Sequence, residues 1–363
     1  MMKRVIRQMM LVGLVAGALG ACAPAQPERQ RFFWPPGTAN PRIEYVDFYE
    51  KAEDARRGAP NRVRDAILGK ERPQPLFDRP VDVASDGRGR FYVSDAGTRR
   101  VHVLDLETFT TGFLGDEKGS PFDFRLPHGL GIDGAGQVYV SDIQQHQIHV
   151  FGADGRFLRS LGGGQLENPA GLAVAPDGSR LWVAEPQQHR IVVLDAAGAL
   201  VQRFGERGSR PGSFNYPLDV DLDPAGNLYV LDSLNARVQV FDAAGKFLRQ
   251  FGERGTALGS FQIPKALAVD ASGHVYVTDA RAHRFVIFDL EGRHLLTIGG
   301  KHSASGGVAP GGFLLPGGID ADDQDGIYVV DGLNRMVHRF QYLNDAWLAA
   351  HPIKSGEAAV PTR

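Results

Sequence analysis

Six acids recur at near-equal intervals, Asp95, Asp142, Glu185, Asp232, Asp279 and Asp331, spaced 47, 43, 47, 47 and 52 residues apart. In four copies an arginine follows five places later, as Arg100, Arg190, Arg237 and Arg284. A carboxylate that ends one strand and a guanidinium that opens the next can pair across a tight turn and hold loop amides, so this repetition predicts structural acid–arginine pairs. The second copy has Gln147 in that slot and the sixth has Met336, with Arg335 one place early. Asp142 and Asp331 are therefore expected to be freer for a ligand or, in an enzyme, for a divalent ion. A second polar set, Asp82, His128, Asp219 and Lys265, stands one or two places after four prolines that also repeat. It fits a small anionic or zwitterionic ligand, or channel water. His146, His189 and His283 all lie four places after the repeated acid, a regularity that predicts loop packing. No Gly-x-Ser-x-Gly elbow, phosphate loop or His-Glu-x-x-His pair is present, so no catalytic residue, metal ligand or cofactor is assigned.

The elements that must position these groups are legible in residues 214–252. Four short alternating runs, 218–223, 227–231, 237–242 and 246–251, are separated by small Gly-containing turns of the kind that close hairpins. The proline before the first run returns as Pro80, Pro127, Pro169, Pro217, Pro264 and Pro316. It keeps step with the acid through six copies. A four-stranded meander cannot bury both its faces alone, and the inner runs are apolar or small on both sides, as in Gly171-Leu172-Ala173-Val174. The fold class expected is all-β, a six-bladed β-propeller of four-stranded antiparallel blades spanning 77–345. The sixth copy lacks a fourth run. Residues 41–48 alternate with period two and have no repeat of their own, so they are predicted to supply the outer strand of blade six and close the ring.

In such blades the turns joining strands one to two and three to four share one face, and here they are short. The turns from two to three and the links between blades share the other, which carries longer, unlike segments such as 115–124 and 299–312. Variable loops on a rigid scaffold are where binding concentrates, so that long-loop face is the expected working surface.

Ahead of the ring, Lys3, Arg4 and Arg7 precede an apolar stretch, 9–21, too short to span a bilayer as a helix. It ends in Leu19-Gly20-Ala21-Cys22, which resembles the lipobox of bacterial lipoproteins, and Cys22 is the one cysteine of the chain. The resemblance implies a signal peptide at 1–21, lipidation of Cys22 and, with Ala23 next, passage to the outer membrane of a bacterium with two membranes. A single cysteine excludes an internal disulfide. Residues 22–40 read as a proline-rich spacer whose Phe32, Phe33 and Trp34 dock on the propeller, 49–76 as a short helical insert, and 346–363 as a tail. Without 1–21 the count is 37 basic against 42 acidic residues, a net of −5, which argues against a nucleic-acid partner.

The repeated string resembles the NHL repeat. The fourth copy reads Phe-x-x-Pro, then Gly-Asn-Leu-Tyr-Val-Leu-Asp, then Phe-Gly-Glu-Arg-Gly, and Tyr139-Val140-Ser141-Asp142 and Tyr276-Val277-Thr278-Asp279 echo it. The resemblance covers about 77–342 and implies the fold, while propellers of this type serve as protein-binding, RNA-binding and catalytic domains. Lyases that resemble this fold bind zinc through histidines in the slot after the repeat proline. Here the slot reads Val81, His128, Ala170, Leu218, Lys265 and Gly317, and one histidine in six cannot supply three protein ligands. The function expected is a lipid-anchored envelope scaffold that presents the long-loop face to a protein or peptide. The alternative is an envelope lyase or hydrolase at the channel mouth, with a divalent metal.

Overall fold

The structure is a computed structural model that describes residues 31–38, 40–56, 75–116, 122–353 and 358–359. The expected signal peptide, Cys22, the expected spacer before Arg31 and most of the expected helical insert lie outside them. Within them the repeats fold as expected: five four-stranded antiparallel sheets in up-and-down order, and a sixth sheet that is wider. The first strand of each blade, Pro80–Ser85, Pro127–Ile132, Leu172–Val174, Pro217–Leu222, Pro264–Val269 and Pro316–Ala321, packs against the first strand of the next. Blade six returns onto blade one, so the circuit is complete.

Six buried clusters form the core, one in each seam between neighbouring blades. Their shape follows from the alternation of the second and third strands, which send large side chains to both faces. In the seam between blades five and six, Tyr276, Phe285 and Ile287 meet Ile327, Val329 and Phe340. Fully burying a side chain of this size stabilises the fold by roughly 1.5–3 kcal/mol, and the seams distribute that gain evenly round the ring.

Blade six is completed by Ile43–Tyr49, which pairs antiparallel with Met336–Tyr342, from Ile43 opposite Tyr342 to Tyr49 opposite Val337. The sheet then continues beyond the expected edge. Arg31–Trp34 pairs antiparallel with Ile43–Tyr49, and Ala358–Ala359 pairs parallel with Arg31 and Phe32. The end of the expected spacer is therefore a fifth strand, with Phe33 and Trp34 buried and the Trp34 ring edge-on to Phe340 at 5.9 Å. Arg31 fixes it by a 2.7 Å ion pair to Glu44. In the region expected as an insert, the described part holds one 3-10 turn, Asp54–Arg56. The tail opens with a six-residue helix, Asp345–Ala350, capped by Asn344, whose side chain accepts from the Trp347 amide at 2.7 Å.

Candidate functional site

Around the axis, the positions two and four places after each repeat proline carry only glycine, alanine or aspartate: eight are Gly or Ala and four are Asp82, Asp219, Asp221 and Asp320. Six strands converging on one axis leave little side-chain room there. Each aspartate uses it to reach sideways to the following blade. Asp82 accepts from the Leu130 amide at 2.9 Å, Asp219 from Leu267 at 2.9 Å, Asp221 from Val269 at 2.7 Å and Asp320 from Ser85 at 2.6 Å. The preceding blade makes space for two of them. A Cβ on Gly171 would lie 2.1 Å from Asp219 Oδ1, and one on Gly318 2.3 Å from Asp82 Oδ1.

These carboxylates wall a cavity of about 580 Å³. Burial, then the charge of Asp219, holds the Asp82 carboxyl well above the usual carboxylate range. Burial likewise pushes Asp219 and Asp221 up to about 7 and Asp320 up to about 8, against the pull of the amides they accept from. The cavity wall runs out to Asp86, Arg88, Asp133, Gly134, Asp322 and Asp323, all in strand one-to-two turns. It therefore opens on the short-turn face, opposite to the face expected from loop length. Loop length reports where sequence varies, whereas the hollow is set by where the inner strands carry their small residues.

The four polar residues expected to share one mouth are divided. Asp82 and Asp219 line the cavity; His128 and Lys265 lie outside its wall, at strand starts on the long-loop side. Lys265 is exposed. Burial and then the Lys265 charge push the His128 imidazole down to about 4, and its Nδ1 is buried with no hydrogen-bond partner among the described residues. Sequence reading missed Asp221 and Asp320 because it scored the inner runs as apolar or small. Their place in the alternation, in phase with Asp219 and Asp82, is the signal that finds them.

The six repeated acids are all buried, and each binds the backbone that leads into its blade. Asp95 accepts from the Asp78 and Arg79 amides at 2.7 and 3.0 Å, and Asp279 from Gln262 and Ile263 at 2.7 and 2.9 Å. Glu185 accepts from the Glu167 and Asn168 amides, and Asp232 from Asn215 at 2.7 Å. The arginine partnership forms in two of the four expected blades, Glu185 with Arg190 at 2.7 Å and Asp232 with Arg237 at 2.9 Å. Elsewhere it is replaced. Arg100 turns outward to Asp116 at 3.1 Å, across the Phe113 ring, while His102 stands 3.7 Å from Asp95. Arg284 donates to the Ser260 carbonyl at 2.8 Å, and Asp279 is held by amides instead.

Asp142 and Asp331 are not freer than the rest, which corrects the expectation that they hold a ligand or ion. Asp142 accepts from four amides, of Arg125, Leu126, Gln144 and Gln145. Asp331 accepts from the Leu314 amide at 2.9 Å and from Asn334 Nδ2 at 2.7 Å, with His338 Nε2 at 3.4 Å. The missing arginine is replaced by backbone and a side-chain amide, not by a vacancy. Among the described residues no group of three or more His, Cys, Asp and Glu side chains is placed to hold a metal. His146, His189 and His283 occupy left-handed backbone positions in the two-to-three turns. His189 and His283 each accept, through Nδ1, the amide of the residue before the next blade's proline, Tyr216 and Leu315, at 3.1 Å, and His146 Nδ1 contacts the Glu167 carbonyl. These histidines pack loops of successive blades together.

On the long-loop face, apolar side chains stand out from three consecutive blades. Tyr216, Ile263 and Leu315 precede the prolines of blades four, five and six, and Leu234 and Leu333 tip the two-to-three turns of blades four and six. They are 36% to 60% exposed. Within each blade a backbone bond ties the residue before the proline to the two-to-three turn: Ser233 donates to Tyr216, Ala280 to Ile263 and Gly332 to Leu315. The residues before the prolines of blades one to three are Arg79, Leu126 and Asn168, of which the single apolar one, Leu126, is half-buried.

Comparison with known proteins agrees with this architecture. A family model described as a six-bladed β-propeller matches residues 224–299. Human E3 ubiquitin-protein ligase NHLRC1 is 34% identical over 71 residues, which are 20% of this chain and 18% of that protein, and its rat counterpart is 35% identical over the same length. The match therefore spans less than a fifth of these relatives. Among solved structures, a protein of unknown function from Bacteroides thetaiotaomicron superposes with a TM-score of 0.60 at 16% identity, covering 74% of this chain and 70% of that one. An auxiliary nutrient binding protein from the same organism gives 0.57 at 12% over the same shares. Virginiamycin B lyase from Staphylococcus aureus gives 0.52 at 13%, covering 72% of this chain and 94% of the lyase. At these identities the likeness is one of fold.

Proposed function

We propose that this protein is a lipid-anchored binding propeller of the bacterial cell envelope, which holds a protein or peptide partner on its long-loop face. The observation that carries the reading is the set Tyr216, Leu234, Ile263, Leu315 and Leu333 on the long-loop face, where Leu258 of the link into blade five is exposed too, while the other exposed large apolar side chains lie on the outer strands. Exposed apolar side chains gathered on one face are a feature of interaction surfaces. The Leu19-Gly20-Ala21-Cys22 motif supports export, lipidation and an outer-membrane address. Photo-crosslinking in intact cells tests the reading. A photoreactive residue at Leu234 should trap a protein that one at Asp154, on the short-turn face, does not. Adducts from position 154 alone would overturn it.

A second reading, an envelope lyase or hydrolase, is favoured by one feature, the axial cavity, where Asp219 and Asp320 titrate near neutrality and so could give or take a proton. The amides those carboxylates accept from give them a structural task as well. Covalent trapping of substrate analogues that fails in Asp320→Asn but not in Leu234→Asp would move the function to the cavity.

A further inference from the structure

Resting on the reading that the long-loop face docks a protein, we infer that its partner there is an acidic segment with interspersed aliphatic residues, lying along blades four to six. A basic residue recurs in the link that leads to each of the three apolar residues before the prolines of blades four to six. Arg207, Arg254 and Lys301 occupy matching places in the three links and are bridged to Phe214, Phe261 and Phe313, two residues before Tyr216, Ile263 and Leu315. All three are exposed. The Arg254 guanidinium donates to the Leu234 carbonyl at 2.8 Å and to the Gln262 carbonyl at 3.2 Å, so it stands between the apolar tips of blades four and five. Lys265 and Arg281 add exposed positive charge toward the axis and at the blade-five turn. Against these, Glu206 and Glu253 are the exposed acids of the same links.

The couple of one cation and one apolar side chain thus repeats at the spacing of the blades. Repetition of a matched pair suits a chain that alternates carboxylates with aliphatic side chains, because each step then satisfies a charge and covers an apolar group. Tyrosine and arginine are among the side chains in which binding energy concentrates at protein interfaces. Single-stranded RNA wants aromatic platforms on which bases stack, and of the five tips one, Tyr216, is aromatic. A lipid surface needs no positional pairing of charge with apolar contact.

The test uses the purified full chain and two synthetic amphipathic peptides of one pattern, Glu with Leu and Lys with Leu, with phosphatidylglycerol vesicles and polyuridylate as further probes. The Glu–Leu peptide should bind, more weakly as salt rises, and at least tenfold more weakly to Leu234→Asp/Leu333→Asp. Arg254→Glu/Lys301→Glu should lose the Glu–Leu peptide and gain the Lys–Leu one. Unaltered melting of both variants excludes simple unfolding. Preference for the Lys–Leu peptide, affinity unchanged by charge reversal, or binding of vesicles or RNA in place of the peptide would overturn the inference. If a protein is still trapped from position 234 in cells while the Glu–Leu peptide does not bind, the acidic chemistry alone is wrong. If nothing is trapped there, the docking face itself falls.

Discussion

Two kinds of buried carboxylate do different work in this ring, and their partners separate them: Asp232 and Glu185 hold an arginine, whereas the axial aspartates accept from the amides of the following blade. The Asp232–Arg237 pair is almost entirely enclosed, and Asp232 also receives the Asn215 amide. Removing its charge leaves the guanidinium without a counterion, a defect that costs about 3–5 kcal/mol when a buried pair is broken. Asp232→Asn should therefore lower the melting temperature markedly while the folded fraction still binds partner; lost binding at unchanged Tm would give Asp232 a functional role. Among the described residues, the axial aspartates have no arginine beside them. Carboxyls near 4 in the unfolded chain are raised to about 7 or 8 in the ring, so between those limits the folded state holds protons that the unfolded state releases. Their effect is to lower stability as pH climbs through that interval. His102 and His128, depressed to about 4 by burial, act in the opposite sense below about pH 6.5, where the unfolded chain takes up protons that the ring refuses. The window from pH 6.5 to 8 isolates the carboxylates. Calorimetry should show Tm falling across it, with a shallower fall in Asp320→Asn; equal slopes in the two proteins would rule this account out.

At the scale of the strand, the glycines beside the axial acids are as constrained as the acids. Gly318→Ala would place a methyl 2.5 Å from the Asp82 Cα and 2.9 Å from the Val81 carbonyl, both backbone atoms. The expected cost is about 1–3 kcal/mol of overpacking, read as a lower midpoint in urea. A midpoint equal to wild type would mean that the inner strands can spread. The runs of each blade, four in the first five copies and three in the sixth, were legible because alternation and turn chemistry are local and repeat. Ile43–Tyr49 was legible for the complementary reason, an alternating segment without a repeat beside a repeat without its last strand. Arg31–Trp34 was not, because Pro35 and Pro36 after it signal a linker, and its burial against Phe340 is a tertiary fact. The acid–arginine register pairs in two of the four blades where spacing predicts it. Its departures at Arg100 and Arg284 depend on neighbours, Asp116 and Ser260, that no spacing rule brings together.

For the whole molecule, loop length and cavity point to opposite faces. Sequence shows where segments vary and so located the long-loop surface; it could not show which end of the axis is hollow, since that follows from strand packing. Deleting residues 41–48 removes the strand that pairs with Met336–Tyr342 and leaves Arg31–Trp34 without its partner. The truncated protein should unfold many degrees lower and aggregate through the bared edge, and an unchanged melting curve would contradict closure. Tyr45 and His338, in hydrogen-bond contact at 3.2 Å, are 293 residues apart. At a synthesis rate of about 5–20 residues per second, roughly 15–60 s elapse before the early strand meets its mate on a nascent chain. Until then blade one stands with its seam toward blade six open to solvent and Ile43–Tyr49 has no strand to pair with, so a chain that stops short of Met336–Tyr342 cannot close its ring.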